Sequence, residues 1–495
     1  MELSAMKQAL DALEQTQYAY SQAIGCLHHD GSTAAPRGSA AARGVTLGFL
    51  SEKSHELMVR PQTRELIESL WACRDELEAP VRRRVELLKK RVEELTRIPV
   101  EEHVAYSRLV NESSVMWRQA KENNDYSRFE PYLAQVLDYC RRFAAYKDAS
   151  KPAYDVMLDD YEKGMNTQTL DAFFAMLRER LVPLIGPLSD QPPAPDFVRA
   201  YCPVEAQQRL SERLMDILGL DRQRCAIAQT EHPYTVGFNR WDVRITTHYY
   251  ENAFLSSMYS VIHEGGHALY ELGMDEALQF TCLNDCPSLG LHESQSRFYE
   301  NLVGHTPGFL SFLAPTLREL FPEALGGIDD GALIRAANRM APSLVRTEAD
   351  EVTYPLHIMV RYELEKRLVS GDLSTRDLPE AWNALYRDNL GICPANDSQG
   401  VLQDMHWSEG MFGYFPTYAL GSAYASQLRH AMSRELDVDA LAAHGNLAPI
   451  TAWLRERIHR HGNLYDPRDL LKRATGEDFH PEYYVAHLTR RATER

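Results

Sequence analysis

A chain of 495 residues, 44% hydrophobic and 25% charged, can bury a large core and has ordinary globular composition. A formal charge of −17 argues against nucleic-acid partners, which are held by clustered cations that release counterions. No apolar run approaches the roughly 20 residues of a membrane-spanning helix, and no basic head, apolar run and small-residue cleavage site mark a signal peptide, so the chain is expected to be cytoplasmic with no membrane role.

Helical patterning dominates the first 180 residues. Val85, Leu88, Val92 and Leu95 recur at three- and four-residue spacing, which predicts an amphipathic helix with Glu86 set to pair with Lys90. Gly31 to Gly44 reads as loop. Pro183, Gly186, Pro187, Pro192, Pro193 and Pro195 interrupt the pattern and place a lobe boundary near residue 190, dividing one integrated unit into lobes 1–190 and 191–495. Within Arg240-Trp241-Asp242-Val243-Arg244-Ile245-Thr246 the alternation of Trp241, Val243 and Ile245 with polar residues predicts one strand, hence a small sheet in a mainly α body. The eight cysteines are too sparse for a disulfide scaffold, and Cys282 and Cys286, without a second pair at zinc-ribbon spacing, read as two buried thiols.

The chemistry is concentrated in Val261-Ile262-His263-Glu264-Gly265-Gly266-His267-Ala268-Leu269-Tyr270. On a helix, positions i and i+4 share a face, so His263 and His267 can offer two imidazole nitrogens to one Zn²⁺ while Glu264 lies beside it. The bland alternative is a core helix with two satisfied histidines. Against it, an apolar helix that carries two histidines and a carboxylate inward needs pairing or a metal for them. Gly265 and Gly266 each cost about 1 kcal/mol relative to alanine, which calls for close approach of a substrate or another backbone. A third ligand is required. Glu271 lies about 6 Å further along the helix from His267 and is a surface or supporting acid. A carboxylate from a second helix, Glu293 in Leu291-His292-Glu293-Ser294-Gln295, is the better candidate.

In these blocks the sequence resembles the M32 metallocarboxypeptidases typified by carboxypeptidase Taq. The similarity rests on His263-Glu264-Gly265-Gly266-His267, His292-Glu293-Ser294-Gln295, His232-Pro233-Tyr234, Asp242-Val243-Arg244-Ile245-Thr246, Val345-Arg346-Thr347-Glu348-Ala349-Asp350 and Gly400-Val401-Leu402-Gln403-Asp404-Met405-His406-Trp407. Departures are Tyr234 where the family usually has Phe, Val345 where Ile is common, and His28-His29-Asp30 where relatives tend to show a Trp-Asp pair. The last reads as a solvated loop. The resemblance implies a large, mainly α, two-lobed helical metallopeptidase with a small β-sheet beside a deep active-site groove, and a catalytic lobe spanning 191–495.

It further implies that His263, His267 and Glu293 hold Zn²⁺, with Co²⁺ a possible substitute. Glu264 is then the general base, and it releases the accepted proton to the leaving amine. An oxyanion donor is expected from the 406–418 segment, where His406 and Tyr418 lead and Tyr414 is a rival. For the free C-terminal carboxylate of a peptide, Arg346 is the first choice and Arg244 the second, each weighed against a structural salt bridge with Asp350 or Asp242. His232 is expected in the groove without a derived role. The implied function is broad-specificity release of C-terminal amino acids by a homodimer; the alternatives are a helical zinc endo-oligopeptidase and a non-catalytic helical interaction protein.

Overall fold

The computed structural model describes residues 2–493. Four helices, α1 (Leu3–Thr33), α2 (Ala40–Val59), α3 (Pro61–Ala72) and α4 (Ala79–Arg97), form the N-terminal layer. Val85, Leu88 and Val92 of α4 are buried with Leu10, Leu13, Met58, Ile67 and Leu70 in one apolar core, while Leu95 is only half-buried. The predicted Glu86–Lys90 pair is not made. Glu86 instead accepts from Arg83 on the same helix at 3.1 Å and from Lys163 at 3.4 Å, and Lys90 reaches Asp159 at 3.1 Å, so each side chain finds a partner other than the solvated i,i+4 one. Residues 31–44 are mostly helix and not loop: α1 runs to Thr33 and α2 starts at Ala40. The segment lies on the surface, so it carries no apolar period, and its alanines supply the propensity instead.

A second, larger core extends from Leu109 to Ala492. Ile185 and Leu188 are buried in it, so the proline-rich segment is an internal connection of this core, and the two cores part between Val92 and Leu109. Into it pack α5 (Val100–Asn123), α6 (Tyr126–Asp148), α7 (Ala153–Asp159) and α8 (Val204–Leu218).

The sheet has three strands, β1 (Cys225–Gln229), β2 (Thr235–Asn239) and β3 (Asp242–Thr247), in the order β1-β3-β2, with β3 parallel to β1 and antiparallel to β2. Val243 and Ile245 are fully buried, as their alternation requires. The strand starts at Asp242 because Arg240 and Trp241 form the hairpin turn, where the Trp241 N–H donates to Asn239 Oδ1 at 2.9 Å and the indole stays 42% exposed.

Against this sheet lie α9 (Phe254–Gly273), which carries the His-Glu-x-x-His pattern, and beyond it α10 (Leu289–Tyr299), α11 (Tyr354–Ser370) and α12 (Pro416–Met432). The last helix, α13 (Glu482–Thr493), is fastened by His487 and Arg491, which reach the two oxygens of Glu351 at 2.8 and 3.2 Å. All eight cysteines are free; Cys282 and Cys286 are half-buried, less enclosed than expected. Among the described residues, no helix is long and apolar enough to cross a membrane.

Burial raises the Glu351 carboxyl, but the charges of His487 and Arg491 override it and hold the pKa at about 2, against an ordinary value of 4.5. A depressed carboxyl contributes stability above its unfolded pKa and loses it as pH falls toward the folded value, so this contribution of roughly 3 kcal/mol should fade between pH 4.5 and 2. Urea unfolding of Glu351→Gln and the unsubstituted chain should therefore differ by about 3 kcal/mol at pH 6 and converge toward pH 3. A constant difference across that range would reject the assignment.

Candidate metal centre

Two glycines decide where the third ligand sits. A Cβ on Gly266 of α9 would come within 2.5 Å of the Gln295 carbonyl oxygen and 2.7 Å of Ser296 Cα, so the backbone of α10 lies directly on α9 at that point. A Cβ on Gly421 of α12 would come within 2.5 Å of Glu293 Cγ. The close approach expected at Gly266 is thus made by another backbone. At Gly265 it is made by neither substrate nor backbone, since a Cβ there would meet the Leu218 side chain of α8 at 2.4 Å. Ser288 starts α10 by accepting the Leu291 N–H at 3.2 Å, and Glu162 accepts the Gly290 N–H at 3.0 Å, which fixes the helix end from which Glu293 projects.

One ligand atom from each of His263, His267 and Glu293 lies within 4.8 Å of the others. Glu293 Oε2 is 3.7 Å from His263 Nε2 and 3.4 Å from His267 Nε2. Two atoms each about 2.1 Å from a tetrahedral centre are roughly 3.4 Å apart, so the residues present fit a metal of zinc's size and donor preference. Burial lowers the His267 imidazole to about 3 and leaves it neutral, as a ligand must be. Burial also opposes ionisation of Glu293, yet Arg297 and His263 hold its carboxyl far below the usual range.

Around these three stands a supporting layer that sequence reasoning missed in part. The Nδ1–H of His263 donates to Glu300 Oε2 at 2.7 Å, which leaves Nε2 facing Glu293. Arg297 donates to Glu293 Oε1 at 2.7 Å and to Glu300 Oε2 at 3.1 Å, tying both acids to one guanidinium. The spacing of Glu293, Arg297 and Glu300, at i, i+4 and i+7, was the available signal. The His267 ring is held by stacking on His292, with centroids 4.3 Å apart and planes 16° apart, and His292 Nε2 bonds Glu271 at 2.9 Å. Glu271 is thus occupied with His292, the residue beside Glu293. Beside the centre, Glu264 accepts from Thr235 Oγ1 at 2.6 Å, and burial raises its carboxyl in spite of nearby His263. A raised carboxyl suits a group that must take up and release a proton.

The second half of the site comes from the 406–418 segment. His406 Nε2 lies 3.4 Å from Tyr418 Oη, and the His406 and Tyr414 rings are 5.2 Å apart. Burial lowers His406 to about 4, with Arg346 and Arg361 adding to the effect, so the imidazole is neutral at pH 7 and can donate one N–H. Burial and the Glu293 charge raise the Tyr414 phenol, and burial raises Tyr418 well above its ordinary value, so both remain hydrogen-bond donors.

Arg346 is buried 4.8 Å above the Tyr418 ring. Its structural partner is Asp404 and not Asp350: Nε and Nη2 reach Asp404 Oδ1 at 3.1 and 2.9 Å. Asp350 is spent on capping, accepting the Val352 and Thr353 N–H groups at 2.9 and 3.1 Å. Arg361, fully buried, donates through Nε to Asp404 Oδ2 at 2.7 Å. Arg244 forms the anticipated fork with Asp242 at 2.9 and 2.8 Å, lies 5.0 Å over Phe238, and belongs to the face of the sheet near α1. His232 is exposed in the β1–β2 connection. His28-His29-Asp30 is not a solvated loop: it is the end of α1, and buried His29 bonds the Tyr234 hydroxyl at 2.9 Å.

Comparison with known proteins agrees with this geometry. A family model described as carboxypeptidase Taq (M32) metallopeptidase matches residues 9–492. Carboxypeptidase 1 of Bacillus subtilis is 40% identical over 486 residues, covering 98% of this chain and 97% of its own, and thermostable carboxypeptidase 1 of Thermus thermophilus is 38% identical over 495 residues, covering 96% of each. The crystal structure of an M32 carboxypeptidase from Deinococcus radiodurans R1 superposes with a TM-score of 0.95 at 34% identity over 99% of both chains. The chain belongs to the carboxypeptidase Taq (M32) metallopeptidase family.

Proposed function

We propose that this metallocarboxypeptidase uses zinc, bound by His263, His267 and Glu293, to release single residues of broad side-chain type from peptides with a free C-terminus. Two imidazoles and one carboxylate are donors that suit zinc or cobalt better than magnesium or calcium, which favour all-oxygen shells. When bound, the metal supplies Lewis-acid polarisation of the scissile carbonyl and acidifies a water. Glu264 takes the proton from that water and passes it to the leaving amine, while Thr235 keeps its carboxylate in place. His406 and Tyr418, with Tyr414 beside them, donate to the oxygen on which charge develops.

The observation that carries the exopeptidase reading is the buried cluster of Arg346, Arg361 and Asp404. Two guanidiniums share one carboxylate there, so the cluster holds one positive charge in excess beside Tyr418. A substrate carboxylate neutralises it, with Arg346 as the anchor. Arg244, already neutralised by Asp242 on the α1 side of the sheet, is the weaker candidate. A helical endo-oligopeptidase has no use for such an excess. We further propose a cytoplasmic homodimer: free cysteines suit a reducing compartment, and Val100, Val104 and Val115 of α5 are 72, 43 and 56% exposed, an apolar row for a second copy. Sedimentation at twice the chain mass checks it.

Metal content and turnover measured together separate chemistry from metal binding. Glu264→Gln should keep its zinc and lose at least about 100-fold in kcat, whereas Glu300→Gln should bind zinc about 10- to 100-fold more weakly in competition with a chelator. A Glu264→Gln enzyme with more than about a tenth of normal kcat removes Glu264 from the base role.

Amidating the C-terminus of a peptide removes the charge-assisted contact to Arg346. kcat/KM should fall by roughly thirty- to several-thousandfold, corresponding to about 2–5 kcal/mol. Arg346→Ala should be impaired on the free acid and nearly indifferent to amidation. Equal cleavage of acid and amide, or internal fragments as first products, would replace this reading with the endo-oligopeptidase one.

A further inference from the structure

Glu365 on α11 is fully buried, and among the described residues no cation hydrogen-bonds to its carboxylate. Trp407 Nε1 donates to Oε1 at 2.7 Å, while the Gly413 N–H and Tyr154 Oη donate to Oε2 at 2.9 and 2.7 Å. Trp407 and Gly413 bracket the segment that opens with His406 and leads into Tyr414 and Tyr418. Between them the chain turns through Gly410 at φ +74° and Gly413 at φ +89°. A Cβ on Gly413 would meet the Met157 backbone of α7 at 2.9 Å, so this segment is wedged against its neighbour and has one place to sit. A buried carboxylate without a bonded counter-charge is a poor way to gain stability, since an apolar side chain of similar volume does better. Its three donors all belong to elements that shape the 406–414 segment.

We propose that Glu365 is a positioning residue for peptide hydrolysis: by holding Trp407 and Gly413 at once it fixes His406, Tyr414 and Tyr418 against the metal centre, an inference that rests on the oxyanion role proposed for His406 and the tyrosines. The ionised carboxylate is the form that fits. It accepts all three donors, two of which, the indole and the Gly413 amide, cannot reverse into acceptors. A glutamine at this position must aim its NH₂ group at one of those two N–H groups, whichever way its amide is turned. Protonation weakens the acceptor that the two N–H groups share and reverses the bond with the Tyr154 hydroxyl, so the grip on Trp407 and Gly413 loosens. Burial raises the carboxyl, the bonds from Tyr154, Gly413 and Trp407 and the charge of Arg361 oppose it, and the balance lies at about 7. The titratable groups facing it are Tyr154 and Tyr161 from α7 and the turn after it, Cys140 from α6, and Arg361 from α11 itself. Activity therefore depends on a group outside the metal centre that changes charge near neutrality.

The test uses metal-loaded enzyme. Glu365→Gln should keep its metal and stay folded at the assay temperature, lose about tenfold or more in kcat, and hold KM within about twofold, because Arg346 and the metal ligands are untouched. A kcat within about twofold of the unsubstituted enzyme, or a loss accounted for by missing metal, overturns the proposal. Should that variant not be recovered folded, Tyr154→Phe decides. It leaves the carboxylate in place but removes one bond to the ionised form, which raises the pKa, so the acid limb of kcat should move up by about 0.5 pH unit or more at constant KM. An unmoved limb overturns the proposal. His406→Ala, assayed in parallel, separates the two levels. If it retains full kcat, the oxyanion reading fails and takes the positioning role with it; if it loses kcat while Glu365→Gln does not, the positioning role alone fails.

Discussion

The metal centre depends on how closely three helices approach one another at Glu293. Two bare glycines, Gly266 on α9 and Gly421 on α12, let α10 lie in contact with both, and any side chain at either position would push Glu293 away from His263 and His267. Interaxial distances between helices depend on the side chains at the contact, so a glycine is the means of bringing a ligand on one helix within bonding reach of ligands on another. The helix cost of those glycines is thereby exchanged for a Glu293 carboxylate held beside His263 and His267 by contact on two sides.

Charge around the site is divided into two compartments of opposite sign. Near the histidines, Glu293 and Glu300 share one guanidinium, Arg297, so negative charge is in surplus there. Near Tyr418, Arg346 and Arg361 face one carboxylate, Asp404, so an anion finds a surplus of positive charge. Tyr354 joins the two: Arg297 lies 4.5 Å from its ring, and Arg346 Nη1 reaches its hydroxyl at 3.3 Å. In a buried setting neither surplus is screened by solvent, which makes both sensitive to loss of a partner.

The N-terminal layer contributes a contact of its own. His29 of α1 and Tyr234 ahead of β2 meet in one hydrogen bond. This polar pair joins α1 to the strand whose first residue, Thr235, holds Glu264. Burial, reinforced by Arg244, keeps His29 neutral, so the bond persists at ordinary pH.

The sequence by itself determined the features set by local geometry. Helical spacing brought His263 and His267 to one face with Glu264 beside them, and the same period marked α4; alternation marked β3. The expectation that Glu293 and not Glu271 stands beside both histidines was also legible, from the rise of a helix against the length of a metal bond. What tertiary structure decided were the partners that lie far along the chain. Asp404 stands 58 residues from Arg346, and Tyr234 stands 205 from His29, separations at which no periodicity carries information. The helical Gly31–Gly44 region was illegible for the opposite reason, since a solvated helix has no apolar stripe to read. The proline-rich segment near residue 190 reports where the backbone bends, whereas a core is bounded by which apolar surfaces meet, and that is settled only when the chain is folded.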